Sequence, residues 1–201
     1  MKRLLLPILL AIPVSAAFAQ PLTNDSDERR YELRPDPNWP LAIELSSGDY
    51  QIVPSESDSI AVVYREDLTR QERRNVEVQI ASGHGQNYLK VSAPKSDLHV
   101  VIEVPRKTDL HVRMTAGDLR VGEVEGNKDI EIHTGNVELN SIDPRDYAKA
   151  DFSVKIGDLT APAFNTSQSG FLRSFRTSGR GKYRLHVHVG VGDLTLKPTR
   201  I

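Results

Sequence analysis

The sequence predicts an all-β protein, a short β-solenoid or β-roll of Gly-Asp coils that follows an irregular N-terminal sheet. Three observations support this fold class. Apolar and polar residues alternate with period 2 from residue 41 onward. No segment sustains the 3.6-residue period of an amphipathic helix. A glycine followed by Asp or Asn recurs five times, with apolar residues at fixed distances on either side.

Residues 1–19 are predicted to be a secretion signal. Lys2-Arg3 gives a basic start, and Ala17-Phe18-Ala19 places small residues where a signal peptidase reads them. The apolar run from Leu4 to Val14 spans about 17 Å as a helix, well short of the roughly 30 Å of a bilayer core. We therefore expect cleavage before Gln20 and a periplasmic or extracellular protein without a transmembrane segment in its mature chain.

Residues 20–40 are predicted to be an extended lead-in without a core of its own, because four prolines stand among charged residues. We expect Trp39, the single tryptophan, to plug the first coil rather than to bind a sugar. A charged connection is expected at 65–75 and a hairpin loop at 82–87. Alternating residues predict strands at 41–45, 60–64, 76–80, 88–91 and 98–104.

The domain from 41 to 201 is organised by the repeat. Residues 5 and 3 positions before each glycine, and 2 and 4 positions after it, are apolar in every copy. Two of these positions, five apart, would face opposite sides of one unbroken strand, so a turn must lie between them. Glycine and Asp or Asn suit such a turn. The predicted structural turns are Gly48-Asp49, Gly117-Asp118, Gly135-Asn136, Gly157-Asp158 and Gly192-Asp193.

Two arrangements fit this spacing, a hairpin at each glycine or a corner in each of several stacked coils. A hairpin would place Arg113 opposite Arg120 and Glu131 opposite Glu138, which brings like charges together. Stacked coils about 4.8 Å apart would instead place Arg113 beside Glu131 and Arg120 beside Glu138. The charge pattern favours stacked coils.

These segments resemble the bacterial putative-adhesin domain family and the related adhesin-head domains. The matching stretches are residues 46–52 running on to 58–60, then 115–119, 134–137, 179–185 and 192–194. The resemblance implies an exported right-handed β-helix or roll, a non-enzymatic scaffold that acts as an adhesin-like surface or envelope protein. The sequence does not identify the partner, and an envelope glycan or another surface protein is the expectation. The resemblance supplies no catalytic residue, metal or cofactor.

Composition narrows the possible functions further. The chain has 201 residues and no cysteine, which excludes disulfides, thiol catalysis and Cys-ligated zinc. It has 26 Lys and Arg against 27 Asp and Glu. Loss of Lys2 and Arg3 with the signal would change the formal net charge from −1 to −3. This balance argues against a general nucleic-acid binder.

The sequence predicts no metal site and no enzyme. The Asp and Asn residues of the turns offer one oxygen per coil, fewer than the six to eight that calcium prefers, so we expect them to cap turns. His186-x-His188 lacks carboxylates at a spacing suited to zinc, and we expect outward strand positions there. Ser92-x-x-Lys95 lacks the companion motifs of serine acyl-enzymes. Three further histidines stand at polar strand positions: His99, His111 and His133.

Residues 170–185 carry five cations and no acidic residue, together with Phe171, Phe175 and Tyr183. This composition indicates a polyanion-binding segment for lipopolysaccharide or an acidic glycan, which is the alternative function. A solvated insertion between the fourth and fifth glycine copies explains the same composition. A glycan-active envelope enzyme is a second alternative, and it would require paired carboxylates. The five predicted contact residues are Arg173, Arg176, Arg180, Lys182 and Arg184.

Overall fold

A computed structural model describes residues 28–65, 76–92 and 99–199. These residues form a 12-stranded sheet and two short 3-10 turns, with no α-helix in the described ranges. The prediction of an all-β protein is therefore confirmed. The predicted signal peptide, most of the charged connection and Lys95 lie outside the described residues.

The strands fall into a short-stranded N-terminal part and a part with long strands. The 3-10 turns are Pro144–Asp146 and Pro162–Phe164. The strands are β1 Glu28–Leu33, β2 Leu41–Ser55, β3 Ile60–Arg65, β4 Glu77–Gly83, β5 Gln86–Ser92, β6 His99–Pro105, β7 Leu110–Val121, β8 Lys128–Ile142, β9 Tyr147–Ala161, β10 Thr166–Ser178, β11 Tyr183–Val191 and β12 Leu194–Pro198.

The long strands stack in parallel and in register. Gly48 of β2 pairs with Gly117 of β7, which pairs in turn with Gly135 of β8. Each apolar position of the repeat thus forms a column that runs across the strands, and every member is buried. The four interior columns are Ile43, Val112, Ile130, Val187, Phe152; Leu45, Met114, Ile132, Val189, Val154; Tyr50, Leu119, Val137, Leu194, Leu159; and Ile52, Val121, Leu139, Leu196, Ala161.

The predicted turn at each glycine is a bend inside a continuous strand. Gly117, Gly135 and Gly157 have φ values of 108°, 132° and 135°, yet β7, β8 and β9 run through them. The bend shifts the alternation of inward and outward side chains by one residue. Met114 and Leu119, which are five residues apart, are therefore both buried. The hairpin arrangement is wrong, because a single strand, β7, contains the residues that a hairpin would set opposite each other.

The spatial order of the copies differs from their order in the chain. After β9 the chain turns back as β10, which pairs antiparallel with β9. It then returns to insert β11 and β12 between β8 and β9. The segment considered as a solvated insertion, residues 170–185, therefore comprises most of β10, the β10–β11 connection and the first residues of β11. The glycine column runs in the spatial order Gly48, Gly117, Gly135, Gly192, Gly157.

The N-terminal sheet is irregular, as expected. β5 pairs with the first half of β2 and β6 with its second half, while β1, β3 and β6 pair antiparallel. β1 lies within the predicted lead-in, which therefore contributes a strand. The β4–β5 hairpin turns at His84 and Gly85, with φ values of 53° and 81°. This two-residue turn is tighter than the predicted loop.

Candidate functional site

A polar surface, which we call the charged face, lies on the outward side of the sheet. It covers the strand segments on the side of the glycine column where the parallel strands begin. The strands that contribute to it are β2, β7, β8, β11, β9 and β10. It consists of two rows of register partners, and acidic residues alternate with His or Arg along the whole first row and from Glu44 to His188 in the second. The first row is His111, Asp129, His186, Asp151 and Arg176. The second row is Glu44, Arg113, Glu131, His188 and Ser153.

The carboxylate of Asp129 contacts three other residues of this face. Its Oδ1 lies 2.8 Å from Nδ1 of His186, and its Oδ2 accepts a hydrogen bond of 2.8 Å from Nη2 of Arg113. Nδ1 of His111 lies 3.5 Å from Oδ2. Burial by itself would raise the pKa of Asp129, but hydrogen bonds from Arg113 and His186 outweigh it and hold this pKa below its ordinary value. Asp129 is therefore an anion shared by three neighbours.

Arg113 makes the contact that the sequence predicted. Its Nε lies 3.3 Å from Oε2 of Glu131 on the neighbouring strand. Arg120 is in register with Glu138, as predicted, but its ion pair of 2.8 Å is with Asp49. Oε2 of Glu138 lies 2.7 Å from Nζ of Lys197. The register was thus predictable, whereas the choice among several partners within reach was not.

The structure brings together three groups with metal-binding chemistry. Asp129, Glu131 and His186 each offer a ligand atom, and these atoms lie within 4.8 Å of one another. Sequence analysis found the histidine and missed both carboxylates. The two carboxylates come from β8, and only the insertion of β11 beside β8 places His186 next to them. The local sequence does not predict that strand order.

The Asp and Asn residues of the bends bond across neighbouring strands. Oδ1 of Asn136 accepts a hydrogen bond from the backbone N–H of Asp193 at 3.0 Å. Oδ1 of Asp193 accepts one from the backbone N–H of Asp158 at 2.9 Å. Nδ2 of Asn136 donates to Oδ1 of Asp118 at 2.9 Å. These side chains therefore tie one bend to the next along the stack.

The five cations of the predicted polyanion segment do not share one face. Arg173 and Arg176 lie on opposite faces of β10, because Arg173 pairs in register with buried Val154 and Arg176 with Asp151. Nε of Arg176 is bound to Asp151 at 2.8 Å. The side chain of Arg173 folds against Gly170.

The remaining cations cluster around the β10–β11 connection. Arg180 and Lys182 lie in that connection, and Arg184 is the second residue of β11. The register partner of Arg184 is Lys149 of β9, a cation that sequence analysis missed. All four are exposed. The outward cationic surface therefore combines this part of the segment with β9.

The aromatic residues of the segment divide in the same way. Phe175 stacks on Phe152 at a ring-centroid distance of 5.8 Å and so packs against the core. Phe171 is 70% exposed and lies in register beside Ile156, which lies beside Val191. Leu172, with φ of 55°, is skipped in the pairing with β9 and is 77% exposed. We call these four exposed side chains the apolar end patch: Ile156, Phe171, Leu172 and Val191.

Trp39 lines a pocket of about 320 Å³, together with Asp109, Asn127 and Tyr183. It is half-buried and does not plug the first coil as predicted. Buried Asn87 holds the pocket wall in place. Its Nδ2 donates hydrogen bonds to the carbonyl oxygens of Asp36 and Trp39 at 2.9 and 3.0 Å. The lead-in is thus fixed to the sheet on one wall of the pocket.

In the described part of the chain, no helix is long and apolar enough to cross a membrane. No family model and no curated protein matches the sequence. A crystal structure of a putative cell adhesion protein from Clostridium sporogenes ATCC 15579 superimposes with a TM-score of 0.52 at 13% identity, covering 89% of this chain and 100% of that one. A putative adhesin from Bacteroides fragilis NCTC 9343 gives a TM-score of 0.25 at 9% identity, covering 86% and 98%. The first of these likenesses shows that the fold is shared.

Proposed function

We propose that the chain is an exported, non-enzymatic β-scaffold of the adhesin type, wound as a right-handed β-solenoid, whose contact surface is the apolar end patch. One observation carries the proposal. The large hydrophobic side chains that are exposed in the described residues meet at one end of the stack instead of being scattered. A contiguous exposed apolar patch on such a domain is typical of an interaction site.

The surroundings of the patch support this role. Along the row just before the glycine column, side chains become larger toward β10, from Ala116 and Thr134 to Val191, Ile156 and Phe171. β10 pairs only with β9 in the described sheet, so one of its edges is open. The bulge at Leu172 interrupts that edge, which opposes uncontrolled strand addition. A partner would therefore meet side chains of the patch rather than a regular strand edge.

The test is retention on envelope material. Beads carrying the mature protein are incubated with purified peptidoglycan sacculi and with outer-membrane vesicles. The double variant Phe171→Ser with Leu172→Ser should lose at least about tenfold in binding, because both side chains lie at the proposed contact. Val53→Ser, a partly exposed change on β2, should leave binding unchanged. Equal binding by wild type and the double variant would sink the proposed surface, and release of soluble glycan fragments would contradict a non-enzymatic role.

Export is part of the proposal and has its own measurement. The protein recovered from the periplasm or medium should have the intact mass of a chain that begins at Gln20. A mature form that retains Met1 to Ala19 would contradict it. The support is the basic start, the short apolar run and the Ala-x-Ala site.

A second candidate function is polyanion binding, favoured by the exposed cations around the β10–β11 connection. Arg180, Lys182, Arg184 and Lys149 are exposed, and none of them forms an ion pair with an acidic residue in the part of the chain that the structure describes. We propose that phosphate or carboxylate groups of lipopolysaccharide or an acidic glycan dock there.

The matched comparison uses two double variants with the same charge change. Arg180→Glu with Arg184→Glu should elute from lipopolysaccharide or heparin resin at clearly lower salt than wild type, because fewer counterions are displaced on binding. Lys90→Glu with Lys155→Glu, on β5 and in the part of β9 remote from the connection, should elute close to wild type. Identical elution of the two double variants, or retention that is insensitive to salt, would exclude this function.

A further inference from the structure

We propose that Asp129, Glu131 and His186 form a binding site for a divalent transition metal of the zinc type. The three side chains offer ligand atoms within 4.8 Å of one another, from two adjacent strands of a rigid sheet. The site is independent of the function proposed above, and it lies on the charged face.

The backbone places the ligands in a fixed arrangement. Asp129 and Glu131 are two residues apart on β8, so both project from the same side of the sheet. His186 is the register partner of Asp129 on parallel β11. Nδ1 of His186 is 2.8 Å from Oδ1 of Asp129, whereas two ligand atoms of a tetrahedral zinc lie about 3.3 Å apart. This pair needs to open by roughly half an ångström, which side-chain rotation supplies.

The donor set suits zinc better than calcium. One imidazole and two carboxylates make three protein ligands, which leaves a fourth position for water or a further group. Calcium and magnesium prefer oxygen ligands alone. His188 is the register partner of Glu131, and its Nδ1 lies 2.8 Å from Oγ of Ser153. His188 is not among the groups whose ligand atoms lie within 4.8 Å of one another, so the fourth position is left to water.

Arg113 occupies the same carboxylates when no metal is bound. Its guanidinium spans Asp129 and Glu131, with contacts of 2.8 and 3.3 Å. It keeps two negative groups close together, which would otherwise repel each other. A divalent cation must displace it, because both cations neutralise the same pair of carboxylates. Removal of the guanidinium should therefore strengthen metal binding.

The protein contains a natural counterpart that lacks one ligand. Nδ1 of His99 lies 3.0 Å from Asp49, and Arg120 contacts the same carboxylate at 2.8 Å. Two residues after Asp49 stands Gln51, where Glu131 stands two residues after Asp129. The His99 group therefore repeats the imidazole, carboxylate and guanidinium without the second carboxylate.

The experiment is calorimetric titration of untagged protein with zinc chloride. Wild type should bind one zinc. Glu131→Gln and His186→Gln should each weaken binding at least about tenfold, while the matched control His99→Gln leaves the affinity unchanged. Arg113→Gln should bind zinc several times more tightly. Calcium should give no heat of binding.

Thermal unfolding keeps the test independent of expression or folding defects. Each variant is first melted in a chelator, and only variants with a cooperative transition are titrated. Zinc should raise the melting temperature of wild type and not that of Glu131→Gln. Absence of zinc binding by wild type, or wild-type affinity in both ligand variants, would overturn the site. An unchanged affinity of Arg113→Gln would overturn displacement of the guanidinium.

Discussion

The glycine column and the charged face are built from the same strands in the same register. They differ in how strictly the structure determines which atoms are in contact. In the column, backbones touch: a Cβ added at Gly135 would lie 1.8 Å from the carbonyl oxygen of Gly117. On the face, long side chains choose among neighbours, and Arg113 contacts both Asp129 and Glu131. Contact in the glycine column thus fixes the register of the strands. The contacts on the charged face then depend on which strand lies next to which in that register.

The largest expected effect comes from filling the glycine column. Gly135→Ala should destabilise the protein by at least about 4 kcal/mol, because it adds a clash with backbone to strain at a φ of 132°. Relief of the clash requires β7 and β8 to move apart at this position, because the atoms met are backbone atoms of Gly117. Denaturant unfolding of wild type and variant measures the difference in the free energy of unfolding.

Gly85→Ala separates strain from close approach. Gly85 also has positive φ, 81°, but no atom lies within 4 Å of an added Cβ. This variant should lose only about 1 kcal/mol. If Gly135→Ala is destabilised no more than Gly85→Ala, backbone contact in the column is not what fixes the register.

A smaller effect is expected where the interior contains a charge. Lys128 is 4% exposed and occupies a row with Leu110, Leu185 and other apolar residues. Burial lowers its pKa to about 8, although nearby carboxylates, Asp146 first among them, partly oppose the shift. Lys128→Met should therefore be more stable than wild type by about 1–3 kcal/mol at pH 7. Nζ of Lys128 also lies 3.2 Å from the Tyr147 hydroxyl, a contact that the variant loses.

The pH dependence gives this prediction its sign. Below about pH 8 Lys128 is charged in both states, and the folded state alone bears the cost of burying the charge. Between about 8 and the ordinary value of 10.5, the unfolded chain binds more protons, so the stability of wild type rises with pH. The difference between Lys128→Met and wild type should shrink over that range. A difference that stays constant from pH 7 to pH 10 would contradict a charged, buried Lys128.

The interior was predictable from sequence because it obeys a local rule. The distance of an apolar residue from the glycine of its repeat determines which buried column it occupies. Ile130 and Val137, five residues before and two after Gly135, are examples. The strand order was not predictable, because β9 and β11 present the same spacing to β8. Both orders place an apolar residue at every column position, so the repeat alone does not distinguish them.

The same distinction explains the candidate sites. His186 was visible as half of a His-x-His pair, but its acidic neighbours depend on the inserted position of β11. The place of Lys149 in the cationic surface was not predicted for the same reason. It lies beside Arg184 only because β9 pairs with β11. The separation of Arg173 from Arg176, in contrast, follows from the sequence. The two residues are three apart, and side chains an odd number of positions apart in a strand project from opposite faces.

The smallest expected effect concerns the ion pairs of the charged face. Arg113 and Glu131 are both partly exposed, so their coupling in a double-mutant cycle should be about 0.2–1 kcal/mol. Arg120 and Glu138 share the same register but bind other partners, Asp49 and Lys197. Their coupling should be smaller than that of Arg113 and Glu131, because Arg120 acts on Glu138 only through a longer-range charge interaction, and this makes them the matched control. High salt should reduce the first coupling because exposed charges are screened. Equal coupling in the two cycles would mean that register alone, and not the contact each side chain makes, sets the energetics of this face.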